Sequence, residues 1–153
     1  MDHVAIMSKK LGLIDRILGG KKKIETRWYK NKVAPYNKIF KNDVIYFKDS
    51  GGQIRAKAEV LKVLQFENLD KNKIKEIINK YGDEIDIGNK NDISWAFGKN
   101  FAILIWLKDV EKINPFEIDK TGFGTGCAWL IVENIDIIRK QKPVGAGRLG
   151  NGL

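Results

Sequence analysis

The sequence predicts an α+β fold of the broad α/β class, in which a strongly bent or barrel-like mixed sheet is flanked by two to three helices. Segments with strand character outnumber helical ones. A hairpin lies in the middle, where two β-type runs flank a turn at Gly51-Gly52. The order of elements does not alternate as a repeating parallel βαβ sheet requires. We predict one domain over residues 1–140 and a mobile, glycine-rich tail over residues 141–153.

The first third of the chain predicts a strand, a helix and a second strand. Residues 3–7 have the alternation of a strand, and Ser8 can then cap a helix. That helix carries apolar residues at helical spacing, which are Leu11, Ile14, Ile17 and Leu18. Gly19-Gly20 ends it, because a glycine after a helix tolerates the left-handed conformation. Residues 23–29 then form a strand, and a polar, basic connection follows over residues 30–41.

The hairpin and a second helix occupy the centre of the chain. Its strands are predicted over residues 43–48 and 53–66. Asp70 can cap the second helix, and Gly82 is predicted to close it. The apolar positions of this helix are Ile74, Ile77, Ile78 and Tyr81.

The last third predicts three strands and a glycine-rich loop. Residues 101–107 form a continuous apolar run, which is typical of a strand buried on both faces. The remaining elements are a helical turn over residues 93–97, a short strand over 114–118, a loop over 121–126, a strand over 127–132 and a short helix over 135–140.

Composition excludes several classes of protein. Cys127 is the only cysteine and His3 the only histidine, so neither a disulfide framework nor a closed His/Cys zinc site is possible. The longest apolar run, residues 101–107, is far shorter than the ~20 residues that span a bilayer. Residues 1–7 do not resemble a signal peptide. We therefore expect a soluble, cytoplasmic protein with no membrane association, no metal and no cofactor, and we take it as a monomer.

Positive charge is concentrated near the amino terminus. Residues 1–41 carry eleven Lys and Arg against three acidic residues, a net charge of 11 − 3 = +8, and the whole chain carries +9. A local positive field attracts polyanions, and nucleic acid is the commonest one in the cytosol. The alternatives are lysine-rich loops that only maintain solubility and a basic face that meets an acidic protein.

The most informative stretch runs from Gly20 to Tyr29. On a strand, Glu25 and Arg27 project from the same face, whereas Ile24, Thr26 and Trp28 take the other face. A carboxylate beside a guanidinium can fix the arginine fork for a phosphate or a base edge. The same residue types also fit an ordinary surface ion pair, which contributes only ~0–1 kcal/mol.

This stretch resembles the ASCH family, a branch of the PUA-like fold. The resemblance rests on a strand, a helix ending in glycine, and then Gly-x-Lys-x-x-Glu-x-Arg, matched by Gly20, Lys22, Glu25 and Arg27. The run from Asn42 to Phe47 resembles the family's Gly-Asp and apolar strand, with Asn42 in place of the glycine. The similarity covers residues 3–66, and the order of later elements fits to about residue 138.

The resemblance implies a PUA-like mixed β-barrel with a cleft in which Lys22, Glu25 and Arg27 converge. It implies an RNA-binding or RNA-related module, although some members resemble N4-acetylcytidine amidohydrolases and a ribonuclease activity has been proposed for others. The amidohydrolases use a Lys, a Thr nucleophile and a later Glu. Here Glu25 stands at the Thr position, and a carboxylate cannot simply replace an activated hydroxyl. The later Glu is left open among Glu67, Glu76 and Glu84.

We therefore predict a protein that binds RNA, single-stranded nucleic acid or a nucleotide-like ligand. The predicted ligand-binding residues are Lys22, Glu25, Arg27, Trp28, Tyr29, Lys48, Ser50, Gly122, Phe123 and Gly124, with nonspecific attraction from Lys9, Lys10, Lys21, Lys30 and Lys32. The first alternative is a hydrolase acting on a nucleoside amide or an RNA phosphodiester, with Lys22 and Glu25 as acid–base partners. The second is a protein-interaction module. A nucleophile–base pair of Cys127 and His3 is a weaker hypothesis, because a cysteine entering an apolar strand is usually inert.

Overall fold

The computed structural model describes residues 1–140 and contains one six-stranded mixed sheet with two α-helices. The strands are β1 (Asp2–Met7), β2 (Ile24–Tyr29), β3 (Val44–Asp49), β4 (Ile54–Phe66), β5 (Phe101–Phe116) and β6 (Trp129–Val132). The helices are α1 (Leu13–Leu18) and α2 (Lys71–Ile85), and 3₁₀ turns lie at Lys9–Leu11, Ser94–Ala96 and Ile135–Ile137. The predicted tail, residues 141–153, lies outside the described residues.

The sheet has the order β2-β5-β4-β3-β1-β6 and curls into a half-barrel. Only β1 and β3 run parallel, and all other neighbours are antiparallel. Three register shifts between β4 and β5 mark bulges, which increase the local twist of a sheet. This bent mixed sheet confirms the predicted PUA-like α+β class. Strands β2 and β6 form its two edges.

The first helix is shorter than predicted. Gly12 adopts a left-handed conformation (φ +60°) and divides the segment into a 3₁₀ turn and the six-residue α1. The Ser8 side chain makes no capping hydrogen bond, and Leu11 is exposed rather than packed. Ile14 and Ile17 are buried as the helical spacing requires. A glycine in the left-handed region therefore overrides the apolar periodicity that runs through it.

The second helix is longer than predicted. Asp70 caps it as expected, since its side chain accepts a hydrogen bond from the Lys73 N–H at 2.8 Å. Gly82 does not close the helix but lies inside it, with the Lys90 side chain against its Cα. The helix ends at Asp86, which takes the left-handed conformation (φ +70°). This ending brings the last carbonyls of α2 close to β2.

The last third differs from prediction at two places. Residues 101–107 and 114–118 are not separate strands, because β5 continues from Phe101 to Phe116 and pairs with β4 through its polar half. The bulges between β4 and β5 accommodate the polar residues that separate the two predicted strands. Residues 135–140 contain only a 3₁₀ turn, and Arg139 bridges back to Ile118.

Both faces of the sheet are covered. The inner face carries the largest apolar cluster, which includes Phe47, Ile103, Ile105 and Trp129. The outer face carries a second cluster around Ile54 and Leu130, beneath the segment that leads to residue 140. Helix α2 packs against β2 and β5 through Ile77 and Ile24. This packing fixes β2 on one side only, so its free edge is available for a site.

Candidate functional site

An open pocket of about 430 Å³ lies along the free edge of β2. Residues 25–29 line one wall, and the end of β1 with Ser8 lines the opposite wall. Trp95 and Lys99, from the 3₁₀ turn and loop before β5, complete it. Because β2 is an edge strand, side chains from both of its faces border the same opening. Thr26 therefore reaches the pocket although it alternates with Glu25.

Glu25 forms the floor of this pocket and is only 3% exposed. One carboxylate oxygen accepts from the Thr26 N–H at 3.0 Å and lies 3.5 Å from Lys22 Nζ. The other accepts from Arg27 at 3.2 Å. Lys22, itself 5% exposed, also donates to the Ile85 carbonyl at the end of α2, at 3.0 Å. Two cations thus compensate one buried carboxylate, and the group of three carries a net positive charge.

Arg27 joins β2 to the far side of the half-barrel. Its terminal nitrogens donate to the carbonyls of Ile6 at 3.2 Å and Ala128 at 3.4 Å, and contact Met7 Sδ at 3.4 Å. Its guanidinium carbon lies 5.0 Å above the centre of the Trp129 ring, which is a cation–π arrangement. The guanidinium is therefore held in place, while Nε–H and the second hydrogen on Nη1 have no acceptor among residues 1–140 other than the neighbouring Tyr29 hydroxyl.

Aromatic rings form the outer wall. Trp28 donates through Nε1 to the Thr26 hydroxyl at 3.2 Å and meets Trp95 edge to face, with ring centres 5.6 Å apart. Trp95 is 48% exposed. Tyr29 is half-buried, and burial raises the pKa of its phenol above 10.0, opposed by the neighbouring Arg27. An exposed indole beside a fixed guanidinium is a surface on which an unpaired base can stack.

The structure does not bring every predicted residue into this pocket. Lys48 pairs with Ile6 of β1 and shares its outward face, so it lies on the far side of the sheet from Glu25. Ser50 is exposed in the hairpin turn, and its N–H donates to the Met7 carbonyl at 2.9 Å. Gly122 and Gly124 are exposed, and Phe123 packs on the outer cluster.

Lys48 is a buried cation without a carboxylate within 4 Å among residues 1–140. It is 4% exposed, and its ammonium donates only to the Asp49 carbonyl, at 3.3 Å. Burial lowers the pKa of Lys48 below 10.5, and the nearby Lys120 lowers it further. Its environment is therefore the opposite of that of Lys22.

His3 and Cys127 do not form a nucleophile–base pair. The His3 nitrogens face Asp43 and Trp129, and the Cys127 thiol contacts the Trp129 carbonyl. No group of three or more potential metal-ligating side chains occurs in residues 1–140. None of the helices described is long and apolar enough to cross a membrane.

Several lysines of the basic amino-terminal region flank the pocket without an ion pair. Lys9 and Lys10 directly follow Ser8, and Lys30 directly follows Tyr29; all three are exposed. No carboxylate lies within 4 Å of them in the part of the chain described. The local excess of charge thus surrounds the opening.

Sequence reasoning did not assign Trp95 and Lys99 to the site. Both follow the acidic loop after α2 and have no motif around them. The packing of Trp28 against Trp95 and a hydrogen bond from the Asn100 N–H to the Tyr29 carbonyl, at 2.9 Å, place that segment beside β2. A tryptophan in the predicted helical turn over residues 93–97 was the available signal.

A curled mixed half-barrel with helices on its flank is the PUA-like fold. More particularly, this fold is the ASCH-domain fold, as the motif in β2 predicts. The structure is similar to that of the ASCH protein from Zymomonas mobilis, with a TM-score of 0.63 and 16% identity over 92% of this chain and 96% of that one. Two point mutants of that protein give TM-scores of 0.64 and 0.65 at 15% identity, each over 89% of this chain and 93% and 91% of theirs. No protein-family model matches the sequence, and neither does any curated protein.

Proposed function

We propose that the protein binds single-stranded RNA or a nucleotide-like ligand in the β2 pocket. The observation that carries this proposal is the opening of Arg27, Trp95 and Lys99 onto one cavity. A nucleotide has a flat base, a phosphate and polar base edges. Trp95, Lys99 and Arg27 are the side chains that can contact them. The cavity lies within the range of ordinary small-ligand sites, ~300–1,000 Å³.

Each group has a distinct role in this proposal. Trp95 stacks on the base, and Lys99 attracts the phosphate as a point charge. Arg27, oriented by Glu25, presents its remaining N–H donors beside Tyr29 to a base edge or a phosphate oxygen. A strand that leaves the pocket past Ser8 reaches Ser50, which is bonded to the adjacent Met7. For Gly122, Phe123 and Gly124 we propose contacts only with a longer strand, whereas Lys48 is buried and is not proposed to contact the ligand.

The arrangement favours binding over hydrolysis. Proton transfer needs a group that can gain or lose a proton beside an activated water or nucleophile. Lys22 donates to Ile85 and contacts Glu25, and both Glu25 oxygens already face nitrogen donors. The Thr26 hydroxyl is engaged by Trp28. Because the Thr26 hydroxyl only accepts in that contact and has no base within hydrogen-bond distance, no activated nucleophile lies beside Lys22 among residues 1–140.

The proposal predicts a steep salt dependence of binding. The affinity for a fluorescent oligouridylate should fall by about 10-fold or more between 50 and 200 mM salt, because bound lysines release condensed counterions. Fluorescence anisotropy at several salt concentrations measures the slope. Undetectable binding at low salt would contradict this proposal and would favour a protein-interaction module instead. Recovery of cleaved oligonucleotide, with cleavage lost in Lys22→Met, would replace it with a hydrolase.

Trp95 supplies the stacking surface, so its loss should weaken binding without a loss of charge. Trp95→Ala is expected to raise the dissociation constant for the same oligonucleotide about 5- to 160-fold, equivalent to ~1–3 kcal/mol per stacked base. Phe40→Ala is the matched control, because Phe40 is also exposed but lies outside this pocket. Equal effects of the two changes would place the ligand elsewhere.

A further inference from the structure

His3 is completely buried on the inner face of the sheet, and both of its ring nitrogens have partners. Nε2 lies 2.8 Å from an Asp43 carboxylate oxygen. Nδ1 lies 3.0 Å from Nε1 of Trp129. The same Asp43 oxygen accepts from the Phe40 N–H at 3.0 Å, which fixes the carboxylate in turn. A chain of hydrogen bonds thus runs from Asp43 through His3 to Trp129.

This geometry determines which His3 nitrogen carries the proton. An indole N–H can only donate, so Nδ1 of His3 must be the unprotonated acceptor. The proton then resides on Nε2, where it is donated to Asp43. A second proton on Nδ1 would face the indole N–H, and the His3–Trp129 hydrogen bond could not form. The contact therefore requires a neutral imidazole.

Trp129 connects His3 to the pocket residue Arg27. It is buried, and its ring lies beneath the Arg27 guanidinium at 5.0 Å. The ring plane can rotate only if the hydrogen bond at its Nε1 is broken. Any such rotation would move the surface on which Arg27 rests. The ring face on which Arg27 rests thus depends on a hydrogen bond made at the edge of the indole, while Glu25, Ile6 and Ala128 hold the guanidinium from other directions.

We infer that His3 is a positioning residue for the β2 pocket, acting through Trp129 on Arg27. This inference rests on the proposed function, because it concerns the affinity of that pocket for a ligand. His3 itself does not line the pocket. Its effect is to keep the guanidinium aligned with Glu25 and its remaining N–H donors directed at the ligand.

The positioning role of His3 predicts that both the order of Arg27 and the free energy of unfolding depend on pH. Burial lowers the pKa of His3 below 6.5; Asp43 and Asp2 oppose that shift, and the amino terminus reinforces it. Acidification protonates His3, breaks the contact with Trp129 and loosens Arg27. The unfolded chain binds more protons than the folded one just below pH 6.5. The free energy of unfolding therefore falls as the pH drops from 6.5 toward the folded pKa.

The first test uses the ligand-free protein. His3 is the only histidine, so its imidazole NMR signals are unambiguous. The Arg27 Nε–H and Trp129 indole signals should shift with the same midpoint as the imidazole. Trp129→Phe, which keeps an aromatic ring but lacks the N–H donor, should abolish that transition at Arg27. An Arg27 signal that is unchanged across the His3 titration would overturn the inference, whether or not RNA binds.

The second test measures oligouridylate affinity against pH, since uracil does not titrate in this range. Affinity should fall roughly 3- to 10-fold as His3 is protonated, the scale of one cation–π contact. A purely electrostatic surface predicts the opposite, because protonation adds a positive charge. His3→Gln, which can still accept from Trp129 without titrating, should bind as the wild type does at neutral pH and lose the pH dependence. Tighter wild-type binding at low pH, or an unchanged profile in His3→Gln, would contradict the positioning role. Failure to bind at any pH would instead refute the proposed function.

Discussion

Arg27→Ala is expected to weaken oligonucleotide binding about 10- to 100-fold, whereas Lys9→Ala should change it by less than about 3-fold. Each substitution removes one positive charge, so net charge cannot explain the difference. Arg27 is held by Glu25, by two backbone carbonyls and by the Trp129 ring. A pre-oriented guanidinium loses little conformational freedom on binding, and charge-assisted hydrogen bonds to it contribute ~1.5–3 kcal/mol. Lys9 is an exposed point charge, for which ~0–1 kcal/mol is typical.

Glu25→Gln makes this comparison decisive. It renders the protein more positive, so a general basic patch predicts tighter binding. A structured site predicts weaker binding, because Arg27 loses the carboxylate that orients it. Arg27→Lys should be intermediate, since it keeps the charge but loses the planar fork. All variants are measured by anisotropy at one salt concentration, after thermal denaturation has confirmed that they are folded. Equal losses for Arg27→Ala and Lys9→Ala, with a gain for Glu25→Gln, would show that binding depends only on the general positive charge of the surface.

Replacing the two buried lysines by methionine should have opposite consequences for stability. Lys22→Met is expected to lower the free energy of unfolding by roughly 2–4 kcal/mol, because it removes one of the two cations beside buried Glu25 and leaves the Ile85 carbonyl unbonded. Lys48→Met should leave the free energy of unfolding unchanged or raise it. Lys48 has only one weak carbonyl partner, so a methionine of similar length removes a desolvated charge at little loss.

Urea unfolding at pH 7 measures both values, and Lys22 and Lys48 serve as each other's control because they are equally buried. Their pH dependence supplies a further check. The pKa of Lys48 is lowered in the folded state, so wild-type stability gains from this residue as the pH rises from the folded pKa toward 10.5. Lys48→Met should lack this gain. A loss for Lys48→Met as large as that for Lys22→Met would show that the Lys48 ammonium is well solvated or paired.

The fold was largely predictable from local patterns. The hairpin of β3 and β4 follows from its Gly-Gly turn, and the cap of α2 follows from Asp70. The errors fall where one residue or a tertiary contact overrides periodicity. Gly12 interrupts the first helix, and Gly82 is tolerated within the second because α2 continues to pack on β2. The polar half of β5 carries only scattered apolar residues, and its pairing with β4 makes it one strand with the apolar half.

The features of the candidate site likewise fall into those that local sequence predicts and those that depend on tertiary contacts. By itself, the sequence determined the concentration of positive charge, the motif in β2 and the placement of Glu25 beside Arg27, because alternation on a strand is a local property. Only the tertiary structure decided that Arg27 reaches Ala128, 101 residues away, and that Lys22 binds the end of α2. It also separated Lys48 from the pocket and brought Trp95 to it. These contacts depend on how the sheet curls and which edge stays open, and no periodicity within a short segment encodes that.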